Sequence, residues 1–164
     1  EIVEDIIPLV EMKYNTYLED PSREGIKATR DHRAFSGYSR GGVCTWNIFH
    51  HNFEYFRWYA PMSGHCRAGK PRTQPVSQEE ATAFLTTPLK ANPDLPFFIF
   101  ASCGNPDAEE MKIQMKYITK IDGFSYGKDT TKNNIYFALS DYYHTDFLVP
   151  YYYWNSLKVL FKGV

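Results

Sequence analysis

Hydrophobic and polar positions along this chain alternate between two periods, and the order of the periods predicts the architecture. Residues 2–18 carry apolar side chains at Ile2, Ile6, Leu9, Val10, Tyr14, Tyr17 and Leu18, a helical stripe. Pro8 falls inside it and marks a kink or the true start of the regular helix. The polar stretch 19–31 reads as a loop. Residues 33–38 form a strand, and 42–51 a helix with Val43, Trp46, Ile48 and Phe49 to pack. A second strand covers 56–61, and the Gly-, Pro- and Arg-rich segment 65–77 reads as a long loop. Ser77 then caps a helix over 78–89, with Glu80 three positions on completing a capping box. The run 95–101 is apolar throughout, which suits a strand buried on both faces of a parallel sheet. Residues 107–120 are helical, with Met111, Met115, Tyr117 and Ile118 inward, and 123–133 form a polar loop. A fourth strand over 134–140 and a closing helix over 149–161 complete the series, with no repeat or low-complexity tract. Strand and helix in alternation predict an α/β sheet of about four parallel strands, with helices on both faces.

Composition adds bounds rather than detail. With 164 residues, 43% of them hydrophobic, the chain reads as a single domain over 1–164 with enough apolar surface for a core. A net charge of −1 gives no field for nucleic acid or an anionic membrane. No apolar run approaches a membrane span, and the opening Glu1-Ile2-Val3-Glu4-Asp5 is helical in character rather than a signal pattern. The cysteines Cys44, Cys66 and Cys103 lack C-x-x-C spacing, so a zinc site is not expected. A Cys66–Cys103 disulfide and three reduced, buried thiols are both open on sequence grounds.

The candidate chemistry begins at Gly37-Tyr38-Ser39-Arg40-Gly41, a G-x-S-x-G set between a predicted strand and a predicted helix. That context is the sequence form of a nucleophile elbow, in which a serine at a strained turn stands clear of the sheet edge. Gly37 and Gly41 are expected to be small because side chains there would collide across the turn. The backbone N–H of Arg40 is expected to serve the oxyanion hole.

Ligands of such sheets bind beyond the carboxyl ends of the strands, so the loops after the later strands should supply a carboxylate and a histidine. Asp107 follows the 95–101 strand, and His144 follows the 134–140 strand. The order Ser39, Asp107, His144 is that of an α/β-hydrolase triad. His144 would take and return the serine proton, and Asp107 would fix its tautomer. Asp107 also opens a predicted helix, so a capping role competes with the catalytic one. Asp141 and Asp146 sit too close to His144 in the chain to come from the preceding strand's loop. His50 and His51 end the elbow helix and His32 precedes its strand, which leaves His65 as the one serious competitor for the base. Tyr142, Tyr143, Tyr151, Tyr152, Tyr153 and Trp154 either offer stacking surface near His144 or pack the core.

The block 31–42, with Asp31-His32-Arg33 leading into the elbow, and the segment from Phe53 to Ala60-Pro61-Met62-Ser63-Gly64 resemble the carbohydrate esterases that include feruloyl and acetyl xylan esterases. Residues 5–14 resemble the helix that those enzymes carry before the elbow. The resemblance implies an α/β-hydrolase fold and hydrolysis, through an acyl-enzyme and without metal or organic cofactor, of esters of plant cell-wall polysaccharide. The acyl group would be ferulate or a similar hydroxycinnamate, with acetate or another small acyl group as the alternative, and the enzyme would be secreted. Tyr38, His65 and Tyr143 are the expected substrate contacts. Two positions depart from the family pattern: Arg40 stands where a Met is common, and Tyr143 where a Gly often precedes the catalytic histidine. The fold normally opens with further strands ahead of the elbow, one of which supports the second oxyanion donor. The resemblance therefore implies an incomplete sheet with an exposed elbow strand, to be completed by a second chain or an upstream segment, or else a non-catalytic fragment or assembly subunit.

Overall fold

Four parallel strands form the centre of the molecule, hydrogen-bonded in the order β1 (Ala34–Tyr38), β2 (Trp58–Met62), β3 (Phe98–Gly104) and β4 (Ile135–Ser140). The computed structural model describes residues 1–163, and of Asp107 and Asp146 the backbone alone. The helices are α1 (Ile7–Glu11), α2 (Arg23–Ala28), α3 (Arg40–His51), α4 (Gln78–Ala91), α5 (Glu109–Ile118) and α6 (Val149–Leu157). Strand side chains alternate between the two faces of the sheet. Phe35, Tyr59, Ile99, Ala101, Ile135 and Phe137 face the thicker layer, where α3 sends Trp46 and Phe49, α4 sends Leu85, and α5 sends Met111 and Ile118. Tyr38, Trp58, Ala60, Met62, Phe98 and Phe100 face the other layer, covered by Leu148, Tyr152 of α6 and Leu160. Helices thus lie on both faces, as the alternation of elements predicts.

Every residue of β3 is buried, in keeping with its unbroken apolar run. The strand starts at Phe98 rather than Leu95. Pro96 has no N–H to give a ladder, and its carbonyl accepts from Arg30 Nη1 at 2.8 Å. At its other end β3 runs on through Ser102, Cys103 and Gly104, paired with Ala138, Leu139 and Ser140. These small and polar residues read locally as loop, but they are the carboxyl edge of the sheet. The capping box at α4 forms as expected: Ser77 Oγ accepts from Glu80 N at 3.2 Å, and Glu80 Oε2 accepts from Ser77 N at 2.9 Å.

The N-terminal third departs most from the periodicity. A π-helical turn over Ile2–Ile6 leads into α1, which ends at Glu11, and Pro8 sits in its first turn, directly after the change from π- to α-helical winding. Of residues 1–18, Val3, Ile7 and Leu18 are buried in the core and Ile2 packs partly against it, whereas Tyr14 and Tyr17 are exposed. The stretch read as a loop contains α2, capped by Ser22 Oγ accepting from Gly25 N at 3.2 Å and anchored by fully buried Ile26.

Two buried arginines tie these elements beneath the amino ends of the strands. Arg30 Nη2 donates to the carbonyls of Phe53 (3.2 Å) and Phe56 (2.8 Å). Arg33 donates to the carbonyls of Ile26 (2.7 Å) and Tyr55 (3.1 Å) and forks onto Glu11 at 2.5 and 3.0 Å. Arg33 is buried and Glu11 partly so, and removing the carboxylate leaves the buried guanidinium without its ion-pair partner. Glu11→Ala is therefore expected to cost about 3 kcal/mol of stability, read as a lowered urea midpoint at unchanged slope.

Cys66 and Cys103 are buried and form no disulfide with each other, whereas Cys44 is exposed rather than buried. Burial pushes the Cys66 thiol up to about 11, which leaves it protonated and inert at neutral pH. Among the described residues no helix is long and apolar enough to cross a membrane.

Candidate functional site at the carboxyl edge of the sheet

Ser39 joins β1 to α3 with φ 58° and ψ −111°, a strained conformation for a residue with a side chain. Its N–H donates to the Met62 carbonyl at 2.8 Å, which ties the turn to the end of β2. No side-chain cap bond engages its hydroxyl at the helix start. Arg40 is the first residue of α3, and the first N–H groups of a helix have no intrahelical acceptor, so its donor stands beside Ser39. The Arg40 side chain is exposed.

The glycines around the turn behave differently from one another. A Cβ on Gly37 would lie 2.5 Å from the Gly41 carbonyl carbon, so Gly37 is small by necessity. A Cβ on Gly41 would meet nothing within 4 Å, which corrects the expectation for that position. The contact that needs a bare backbone on the helix side is instead at Gly42, whose Cβ would lie 2.5 Å from the Met62 carbonyl oxygen. Gly64 is its counterpart, packed on the Ser39 carbonyl and on α3. Both glycines lie in the segments that carry the family resemblance, but their packing partners are distant in the chain, so local reading does not show why they are small.

His144 lies in the irregular segment after β4, and its ring stacks on the Tyr38 ring with centroids 4.7 Å apart and planes at 29°. The structure thus brings the imidazole to the residue next to Ser39. Gly104 fixes the backbone of the same loop: any Cβ there would overlap the Tyr142 carbonyl. Gly104 is paired with Ser140, and the 3-10 turn Asn105–Asp107 follows at once, so Asp107 and His144 leave adjacent strand ends. The Asp107 side chain lies outside the described residues. The helix after it begins at Glu109 with Ala108 as N-cap and no side-chain cap bond, so Asp107 does not occupy the capping position.

His65 goes elsewhere. It lines a cavity of about 260 Å³ with Arg67, Gln78, Glu110, Gln114 and Tyr117, a set that includes neither Ser39 nor His144. Its Nε2 is 3.3 Å from Arg67 Nη1. Burial lowers its pKa, Arg67 adds to that, and Glu110 opposes it. Tyr143 is 71% exposed beside His144, and Tyr142, Tyr151 and Trp154 are also exposed, whereas Tyr152 is buried with its hydroxyl 3.0 Å from Ser140 Oγ. Most of these aromatics are therefore surface rather than core. A larger cavity of about 770 Å³ is lined by residues that precede β3 and β4, such as Asn92, Phe97, Ser125 and Asn134, and so lies at the opposite, amino edge of the sheet. Size alone does not mark the site. Among the described residues no cluster of His, Cys, Asp and Glu is suited to a metal ion. A serine on a strained turn, a helix N-terminus beside it and an imidazole one ring away are suited to nucleophilic acyl transfer.

The chain is 32% identical over 142 residues to endo-1,4-beta-xylanase Y of Acetivibrio thermocellus, a match covering 85% of the chain and 13% of that protein. It is similar in structure to the feruloyl esterase module from Clostridium thermocellum, solved as a serine-to-alanine mutant complexed with sinapinate. That similarity has a TM-score of 0.91 and 27% identity, over 100% of the chain and 58% of the module. A second feruloyl esterase structure gives a TM-score of 0.89 and 28% identity, over 99% of the chain and 57% of its own length. The chain therefore spans little more than half of these structures and a small part of the xylanase. No protein-family model matches it.

Proposed function

From the premise that the chain is an α/β-hydrolase of the feruloyl esterase type, over part of the length of its solved relatives, we propose that it carries the nucleophile and base of a carboxylic ester hydrolase. The proposed substrate is a hydroxycinnamate ester of plant cell-wall xylan. The observation that carries the reading is the His144 ring stacked beside the Ser39 elbow.

In this reading Ser39 Oγ attacks the ester carbonyl while His144 accepts its proton. Asp107 holds the imidazole in the productive tautomer and stabilises the imidazolium. The negative oxygen of the tetrahedral intermediate faces the Arg40 N–H at the head of α3, where the helix dipole favours it. Collapse breaks the bond to the sugar oxygen, which leaves with the proton from His144. Water then attacks the acyl-enzyme, with His144 again as base, and releases the acid and Ser39. Exposed Tyr142 and Tyr143 beside His144 give an aromatic acid a surface to stack on, which favours a hydroxycinnamate over acetate. An extracellular location suits a polysaccharide substrate. The outer edge of β1 is paired with no strand among the described residues, and such an edge invites pairing with a further strand, from an upstream segment or a second chain.

The kcat/KM for methyl ferulate is expected to exceed that for an acetylated xylo-oligosaccharide. Turnover of neither, with good turnover of an unrelated ester, would refute the substrate assignment.

A further inference from the structure

Tyr38 precedes the nucleophile in the chain and stacks on the ring of the base. It is the last residue of β1, and strand alternation points it to the face covered by α6, where it packs against the cluster of Trp58, Ala60 and Met62. The segment that carries His144 crosses the same face on its way from β4 to α6, so the two rings meet. One face of the Tyr38 ring is therefore taken by the imidazole. His144 is itself exposed, in a segment without regular structure, and its loop is fixed at backbone level by the contact of Tyr142 with Gly104. The imidazole ring lies against Tyr38, and that contact restricts its two side-chain torsions.

We propose that Tyr38 is a positioning residue for His144: its ring is the rigid surface that holds the imidazole within reach of Ser39. The proposal rests on the esterase reading and adds to it a residue that acts through the base. The flat ring is the working part, so Phe should replace Tyr and an aliphatic residue should not. An error of about 1 Å in the placement of a catalytic group costs on the order of 100-fold in rate, and this sets the size of the effect.

The test uses the whole chain as wild type, Tyr38→Phe and Tyr38→Leu, with Tyr38→Met in place of the leucine variant should that one fail to fold. Proton NMR of the His144 ring reads the stack as an upfield ring-current shift, present in wild type and Tyr38→Phe and lost in Tyr38→Leu. The rate of Ser39 phosphonylation by a fluorophosphonate is expected to fall about 10- to 100-fold in Tyr38→Leu and to recover in Tyr38→Phe. With methyl ferulate, kcat should fall by the same factor while KM stays within about twofold. A raised KM at unchanged kcat would make Tyr38 a substrate contact and overturn the proposal. So would a wild-type phosphonylation rate in Tyr38→Leu, failure of Tyr38→Phe to rescue, or absence of the ring-current shift. If wild-type Ser39 does not react although the shift is present, the esterase reading falls and takes the role with it, an outcome distinct from a reactive wild type with an indifferent variant.

Discussion

Alanine in place of Ser39 is expected to lower ester hydrolysis by about 10⁴- to 10⁶-fold and to leave the fold intact. The size of the loss follows from the mechanism. Without the hydroxyl there is no acyl-enzyme, and only binding and the oxyanion donor remain to assist direct attack by water. The spared fold follows from the structure. The Ser39 hydroxyl makes no capping bond at the head of α3, and the tie to β2 runs through its backbone N–H to Met62, which alanine keeps. Urea midpoints of the two proteins should therefore agree while their activities differ by orders of magnitude. Substantial activity in Ser39→Ala would remove the nucleophile assignment.

The second large effect is expected far from the hydroxyl. Gly104→Ala should reduce kcat/KM by about 100-fold or more, because the added methyl must displace the backbone at Tyr142, two residues before His144. The neighbouring atom is a carbonyl oxygen of the main chain, so the strain cannot be relieved by a rotamer change. The cost in stability is expected at about 1–3 kcal/mol, typical of an overpacked site. Gly41→Ala is the matched control. Its Cβ would meet nothing within 4 Å, and alanine in a helix is favoured over glycine by about 1 kcal/mol, so activity should persist and stability should hold or rise. Equal activities in the two variants would show that the Gly104 contact does not position the His144 loop.

The sequence signals that survived were those carried by whole elements. The apolar run at β3, the capping box at Ser77 and the glycine-flanked turn at Ser39 each depend on neighbours in the chain, and each formed, with β3 shifted three residues toward its carboxyl end. The signals that failed depended on partners distant in sequence. Tyr14 and Tyr17 fit a helical stripe, yet α1 stops at Glu11, both side chains stay exposed, and the Tyr17 ring stacks on His32 rather than entering the core. The short helix α2 buries only Ile26, so its polar composition reads as a loop. The need for Gly42, Gly64 and Gly104 to be small is not local; their constraint is the close approach of another backbone. That Asp107 and His144 leave adjacent strand ends was legible from strand order, whereas the Tyr38–His144 stack was not. Predicting it needs to know which face α6 covers, and that is set by packing across the sheet.

The central claim is that Ser39 and His144 work as a pair. Its most direct test is covalent labelling of the intact chain by a fluorophosphonate, with the modified residue mapped by mass spectrometry. Wild type is expected to take up one equivalent at Ser39, and His144→Ala to react at least about 10³-fold more slowly. Absence of label at Ser39 in wild type, or labelling of Ser39 at the same rate without His144, would contradict the account.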